Sequence, residues 1–195
     1  MIIGAIEMTR VIAAYIVIVL SGYQSAYAIQ LQGLLEKMAS TAEKSALFTE
    51  TKTAYFLKNP LVSKGTLEFK SPSTLIKRIT DPELLEQKIE GGVLSIYQGT
   101  NQGETLSLTP NNELAVGVNA ILWVLSGSFD ELNNNFHITF IDDVNNWTIE
   151  LVPKDSELIS KIAIILLKGT GGNINLIDIQ HSNGNSIKTV LYGHQ

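Results

Sequence analysis

The residues that could carry bond-making chemistry are few and scattered. Histidine occurs three times, at His137, His181 and His194. An H-E-x-x-H helix face would offer two imidazoles and a base to zinc, and no comparable ligand set is present. Asp178 and His181 stand at i, i+3 beside a hairpin signal and read as a surface pair. His137, between Phe136 and Ile138 in an alternating run, falls on the solvent side of a strand. A serine hydrolase places its nucleophile on a strand-to-helix elbow, G-x-S-x-G, whereas "LSGSFD" has other spacing and follows a helical run. "KGTGGN" lacks the Gly-Lys-Ser/Thr ending of a phosphate loop and reads as a turn. Asp142-Asp143, and Glu83, Glu86 and Glu90, read as solvated edges, with nothing selecting a carboxylate pair. Cysteine is absent, which excludes a thiolate nucleophile, thiolate metal ligands and disulfides together. The expectation is a non-enzyme with no catalytic residue, no metal and no cofactor.

What remains is the chemistry of apolar surface. "NNELAVGVNAILWVLSG" (Asn111 to Gly127) carries one charge, Glu113, and leaves a helix with almost no polar face. A helix apolar all round is buried on several sides or enters a membrane, and this one is too short to span. It interrupts a series of strands, so the sheet must leave room for it. Two arrangements fit: the helix plugs the sheet and completes its core, or it roofs a greasy chamber suited to acyl chains.

Bulk composition narrows the field further. The 195 residues suffice for one domain with a sizeable core. With 45% hydrophobic and 17% charged residues, the chain is neither a disordered tail nor a polytopic membrane protein. A net charge of -5, with no basic run beyond Lys77-Arg78, excludes nucleic acid as a partner. At the N-terminus, Arg10, the uncharged run from Val11 to Tyr23, and small residues at Ala26 and Ala28 have the layout of a secretory signal peptide. Cleavage is expected after Ala28, leaving a single domain over residues 29–195 in the periplasm; an uncleaved anchor is the alternative, and translation starts at Met1 or Met8.

Leu31, Leu34, Leu35 and Met38 repeat at i, i+3, i+4, i+7 and predict an amphipathic helix. From Ala46 the period becomes two. Strands are expected through "ALFTETKTAYFL", "GTLEFK", "TLIKRIT", the two arms of a hairpin turning at Gly91-Gly92, and "ETLSLTP". "NPLVSKG" reads as a turn. After the apolar helix comes a short helical turn in "SFDELNNN", with Ser128 as its cap. "FHITFID", "NNWTIELVP", "IAIILLKG", "NINLIDIQ" and "IKTVLYG" then read as strands, and "KDSELISK" as one helical turn. Asn183-Gly184 predicts a type I′ hairpin. Short connections argue for one curved or partly closed antiparallel sheet with helices on one side, mainly β with an α component.

The order of these pieces resembles a known family. "FTETKTAYFLKNPLVSKGTLEFKSPSTLIKRITDPE" (Phe48 to Glu83) is similar to the opening of the periplasmic outer-membrane lipoprotein carriers, the LolA-like family. "WTIELVPKDSELISKIAIILLKG" and the closing "DIQHSNGNSIKTVLYG" are similar to its later strands and last hairpin. The resemblance implies an unclosed antiparallel β-barrel with a helical lid that shuttles acyl chains of lipoproteins or other lipids. It implies Leu34, Leu35, Met38, Val118, Ile121, Leu122 and Leu125 as lid. Leu67, Phe69, Leu94, Ile96, Leu106, Leu108, Phe136, Ile138 and Phe140 become cavity walls. Its partners would be a lipidated protein or lipid cargo, an inner-membrane extractor and an outer-membrane acceptor. Where the family pattern has an arginine before a proline, this chain has Ser71 before Pro72, leaving Lys70 and Arg78 as candidate gating cations. The alternative is an envelope interaction or regulatory module on the same half-barrel.

Overall fold

The structure is a computed structural model that describes residues 29–99, 101–109 and 113–195. The expected signal peptide lies outside them. The chain divides into two units, Met1–Gly33 and Leu34–Gln195. Residues 29–39 are helical and form α1. The second unit holds the sheet and the helical insert.

Eleven strands make one sheet. Six precede the apolar helix: β1 (Glu43–Thr53), β2 (Leu61–Lys70), β3 (Thr74–Asp81), β4 (Leu85–Glu90), β5 (Val93–Gln98) and β6 (Asn101–Ser107). The helical insert is α2 (Glu113–Ser126) and α3 (Phe129–Asn135). Then come β7 (Phe136–Asp143), β8 (Asn146–Pro153), the single turn α4 (Ser156–Ile159), β9 (Ile162–Thr170), β10 (Asn173–His181) and β11 (Ser186–Tyr192). The strand order is β6-β5-β4-β3-β2-β1-β11-β10-β9-β8-β7, so two meanders meet where β1 pairs β11. Neighbours are antiparallel, and β6 and β7 stand at opposite edges unpaired with each other. The barrel is therefore unclosed, as expected, and the helical insert joins its two free edges.

Local chemistry explains most of the boundaries. Gly91 and Gly92 turn the β4–β5 hairpin with φ of +57° and +75°, a region costly for other residues. Asp155 caps α4 by accepting from the backbone N–H groups of Glu157 and Leu158 at 2.9 and 3.0 Å. Three expectations are corrected. "LVSK" is strand, with the turn moved upstream to residues 54–60, because Pro60 ends the loop instead of opening it. Ser128 makes no side-chain capping bond to α3. The Asn183-Gly184 turn is not type I′: only Gly184 has positive φ, +86°, and its N–H donates to His181 O, giving a three-residue loop with a glycine bulge.

The interior is filled unevenly. On the β8–β9 side Ile149, Leu151, Ile165 and Leu167 are fully buried. Trp147 lies over Gly169, where an added Cβ would come within 2.2 Å of the indole, and its Nε1–H donates to Gly171 O at 3.0 Å. Trp123 of α2 meets Phe136 edge-on at 6.3 Å, and α2 packs against β9 while α3 packs against β7. The flank of α2 that carries Val116 and Trp123 thus completes a solid core. Its other flank does not.

Candidate functional site

Leu114, Gly117, Val118 and Ile121 fall on one stripe of α2, and that stripe roofs a cavity of about 490 Å³. The floor comes from alternate residues of the first meander and of β10–β11. Phe48 and Glu50 rise from β1, Leu67 from β2, Leu75 and Lys77 from β3, Ile89 from β4 and Leu94 from β5. Ile177, Ile179 and His181 rise from β10, and Ile187 and Thr189 from β11. A second cleft of about 40 Å³ shares Leu67, Leu75, Ile121 and Ile177 and continues toward Phe69, Leu125, Ile174 and Leu191. The two volumes share this aliphatic wall and follow one another along α2, from Leu114 to Leu125. Plug and roof are therefore both present, on opposite flanks of the same helix.

The groove has a charged pole. Glu50 is 5% exposed, and its Oε2 accepts from Lys77 Nζ at 2.5 Å and from Thr189 Oγ1 at 3.1 Å. Lys77 reaches it across β2, passing over the Phe48 ring at 5.0 Å from the centroid. Lys52 Nζ lies 3.5 Å from Glu50 Oε1, too loose for a hydrogen bond, and Oε1 has no hydrogen-bond partner. Burial alone would raise the Glu50 pKa. The charge and hydrogen bond of Lys77, with Lys52 and Thr189, more than offset it and hold the carboxyl below 4.5. For Lys77, burial is the larger influence and lowers its pKa from 10.5, with Glu50 opposing. The short contact and the second cation favour an ionised pair at neutral pH.

Lining the same cavity, Glu113 in the first turn of α2 contacts His181 at the end of β10. The His181 side chain is 12% exposed, and its Nδ1 is buried without an aligned hydrogen bond. Strand alternation carries this imidazole inward, on the face of Ile177 and Ile179. The expected Asp178–His181 surface pair is thereby corrected: His181 faces α2, whereas Asp178 sits opposite Lys188 in the ladder. His194 Nε2 lies 3.2 Å from Asn175 Oδ1 beside the small cleft, its pKa lowered by burial and then by Lys44. His137 is exposed. Among the described residues no cluster of three His, Asp or Glu could hold a metal ion.

The sixteen expected lipid-contacting residues separate into four groups. Leu67, Phe69, Leu94, Val118, Ile121 and Leu125 line the groove. Leu35, Met38, Leu122, Phe136 and Phe140 are buried in packed core, and Leu34, Ile96, Leu108 and Ile138 are half-buried without lining either volume. Leu106 is 47% exposed on the edge strand β6, so its place as a wall is corrected. The expected gating cations are also placed elsewhere. Arg78 points away from the cavity that its neighbour Lys77 lines, and pairs with Glu68 and, at 2.7 Å, with Glu86 on flanking strands. Lys70 pairs with Glu43 at 3.5 Å on the surface. A polar contact between α2 and the sheet at this cavity, Glu113–His181, was missed by the sequence reading.

A family model described as outer membrane lipoprotein carrier protein LolA-like matches residues 23–195. The chain belongs to this LolA-like family. Solved structures of similar fold include a LolA superfamily protein from Nitrosomonas europaea, at 11% identity and TM-score 0.45, covering 84% of this chain and 92% of that one. A putative outer membrane lipoprotein-sorting protein domain from Vibrio parahaemolyticus is 8% identical, TM-score 0.46, over 85% of this chain and 90% of its own. MucB is 11% identical with TM-score 0.50, and the match covers 87% of this chain but 58% of MucB. No curated protein matches the chain in sequence. Among the described residues of this LolA-like chain, no helix is long and apolar enough to cross a membrane.

Proposed function

We propose that this chain is an exported periplasmic carrier, beginning near Ile29, that holds the acyl chain of a lipid or lipoprotein beneath α2 and shuttles it between membranes. The observation that supports it is the open groove: about 490 Å³ of space with aliphatic walls, within the range of small-molecule sites. A docking module on the same half-barrel would have no use for that void. Each buried methylene contributes about 0.8 kcal/mol, so roughly ten carbons would gain about 8 kcal/mol before ordering costs. That holds a lipid in water while leaving transfer to a better acceptor open. No covalent step is required; exchange follows from movement of α2. Native mass spectrometry of protein purified from the envelope should show co-purifying lipid. A clean protein mass, together with failure to bind any fluorescent fatty-acyl probe, would overturn the reading.

In this scheme Glu113–His181 fastens the first turn of α2 to the sheet. Glu113 is half-exposed, so the pair contributes modestly, about 0.5–1 kcal/mol. Glu113→Gln should speed release of a bound acyl probe roughly two- to fivefold in stopped-flow fluorescence, with little change in thermal stability. An unchanged release rate would remove this contact from lid closure.

A further inference from the structure

A carrier for bare hydrocarbon would need only the aliphatic groove, yet this one places an ion pair inside it. Lys77 spans β2 to reach Glu50, and no hydrogen bond in the described protein satisfies Glu50 Oε1. The glutamate side chain is 7% exposed and lines the cavity beside Leu67 and Leu75. A buried carboxylate oxygen left without a donor is costly, and a ligand that supplies one gains correspondingly.

Resting on the carrier reading above, we propose that the groove selects an amphiphile: an acyl chain whose first few head-group atoms carry a neutral hydroxyl or amide hydrogen, donated to Glu50 Oε1. The local charges decide the class. A free fatty acid would bring a carboxylate against Glu50, and an alkyl amine would bring a cation against Lys77 and Lys52. A neutral donor meets neither repulsion. The tail then lies along Leu67, Leu75, Ile121 and Ile177 toward the small cleft, and the donor sits at the charged pole. Glycerol hydroxyls of a lipid and the amide N–H of an N-acylated peptide share this chemistry.

Three probes of equal chain length separate the possibilities: 1-monolauroylglycerol with hydroxyls, an N-lauroyl dipeptide amide with N–H groups, and methyl laurate with no donor. Each is titrated against the full mature chain by displacement of a fluorescent acyl reporter. At least one donor probe should bind roughly ten- to a hundredfold more tightly than methyl laurate, the range for a hydrogen bond to a charged group. Whichever of the two shows the preference identifies the source. In the paired variant Glu50→Leu/Lys77→Met, shown folded by its thermal transition, that preference should collapse to within about twofold. Methyl laurate binding the natural chain as well as both donor probes would overturn the head-group inference and leave the carrier reading standing. So would a preference that survives in the paired variant. Failure of all three probes to bind would overturn both.

Discussion

Lys77→Met as a single substitution should lower the free energy of unfolding by about 3 kcal/mol, measured by urea denaturation at neutral pH. The loss comes from the carboxylate left behind. Glu50 is 5% exposed, with its Oε2 held by Lys77 at 2.5 Å and by Thr189 at 3.1 Å. Without the ammonium, Thr189 and the distant Lys52 cannot replace the solvation lost on folding. The Lys77 side chain retains 17% exposure toward the cavity, which places the figure at the lower end for broken buried pairs. For a chain of this size the shift in Tm is roughly 6–12 °C. Replacing both partners, Glu50→Leu with Lys77→Met, should recover most of that loss, because a volume-matched apolar pair removes both desolvation penalties. A double variant as unstable as the single one would show that shape, not charge, holds this part of the sheet. The pair also fixes the acid limb. Glu50 has a folded pKa below 4.5, so its contribution is present above 4.5 and is lost as pH falls through the folded value. Below pH 4.5 the natural chain should therefore lose stability more steeply than the double variant. Lys77 acts in the opposite range: its lowered pKa means burial of the ammonium weighs against folding at neutral pH, and that burden lifts as pH rises toward 10.5.

The contrast between Lys77 and Arg78 also shows what a sequence can and cannot reveal. Alternation alone places Leu75, Lys77 and Ile79 on one face of β3 and Ile76 with Arg78 on the other. The strands, their edges and the apolar α2 were legible because period and composition are local properties. Which face borders a void is not local. It depends on where α2 lands, and α2 fills the β8–β9 side while leaving the β1–β5 side open. The expected walls Phe136, Ile138 and Phe140 lie on the strand that follows the insert, where α3 packs, so they became core or half-buried flank. Glu50 and Lys77 were passed over for a related reason. A charged residue in a strand reads as solvent-facing, and only the pairing across β2 shows that each satisfies the other inside. The strict alternation Ala46, Phe48, Glu50 on β1 was the available signal: it sets a glutamate on the same face as a phenylalanine that proves fully buried. His181 was legible in the same way, since alternation sets it on the face of Ile177 and Ile179 and opposite Asp178.

Ile121→Trp should abolish acyl-probe binding, by at least a hundredfold, while changing stability by less than about 1 kcal/mol. Ile121 borders both the large cavity and the small cleft, so a single side chain there governs the length of the groove. An indole in that position would occupy the space of several methylenes, and each methylene denied burial forfeits about 0.8 kcal/mol of binding. Three lost methylenes already exceed fiftyfold on that scale. Stability responds differently, because overpacking is destabilising only where no space exists. The same change at Leu167, which has zero exposure and lies in the solid half of the interior, should reduce stability by about 1–3 kcal/mol or more. The two sites therefore test the division of α2 into a plugging flank and a roofing flank. If Ile121→Trp unfolds the chain as readily as Leu167→Trp, the space beneath Val118 and Ile121 is closed in solution, and a groove that cannot admit an indole cannot admit an acyl chain. If instead the variant is stable and still binds probe with full affinity, the chain lies elsewhere on the protein than beneath α2.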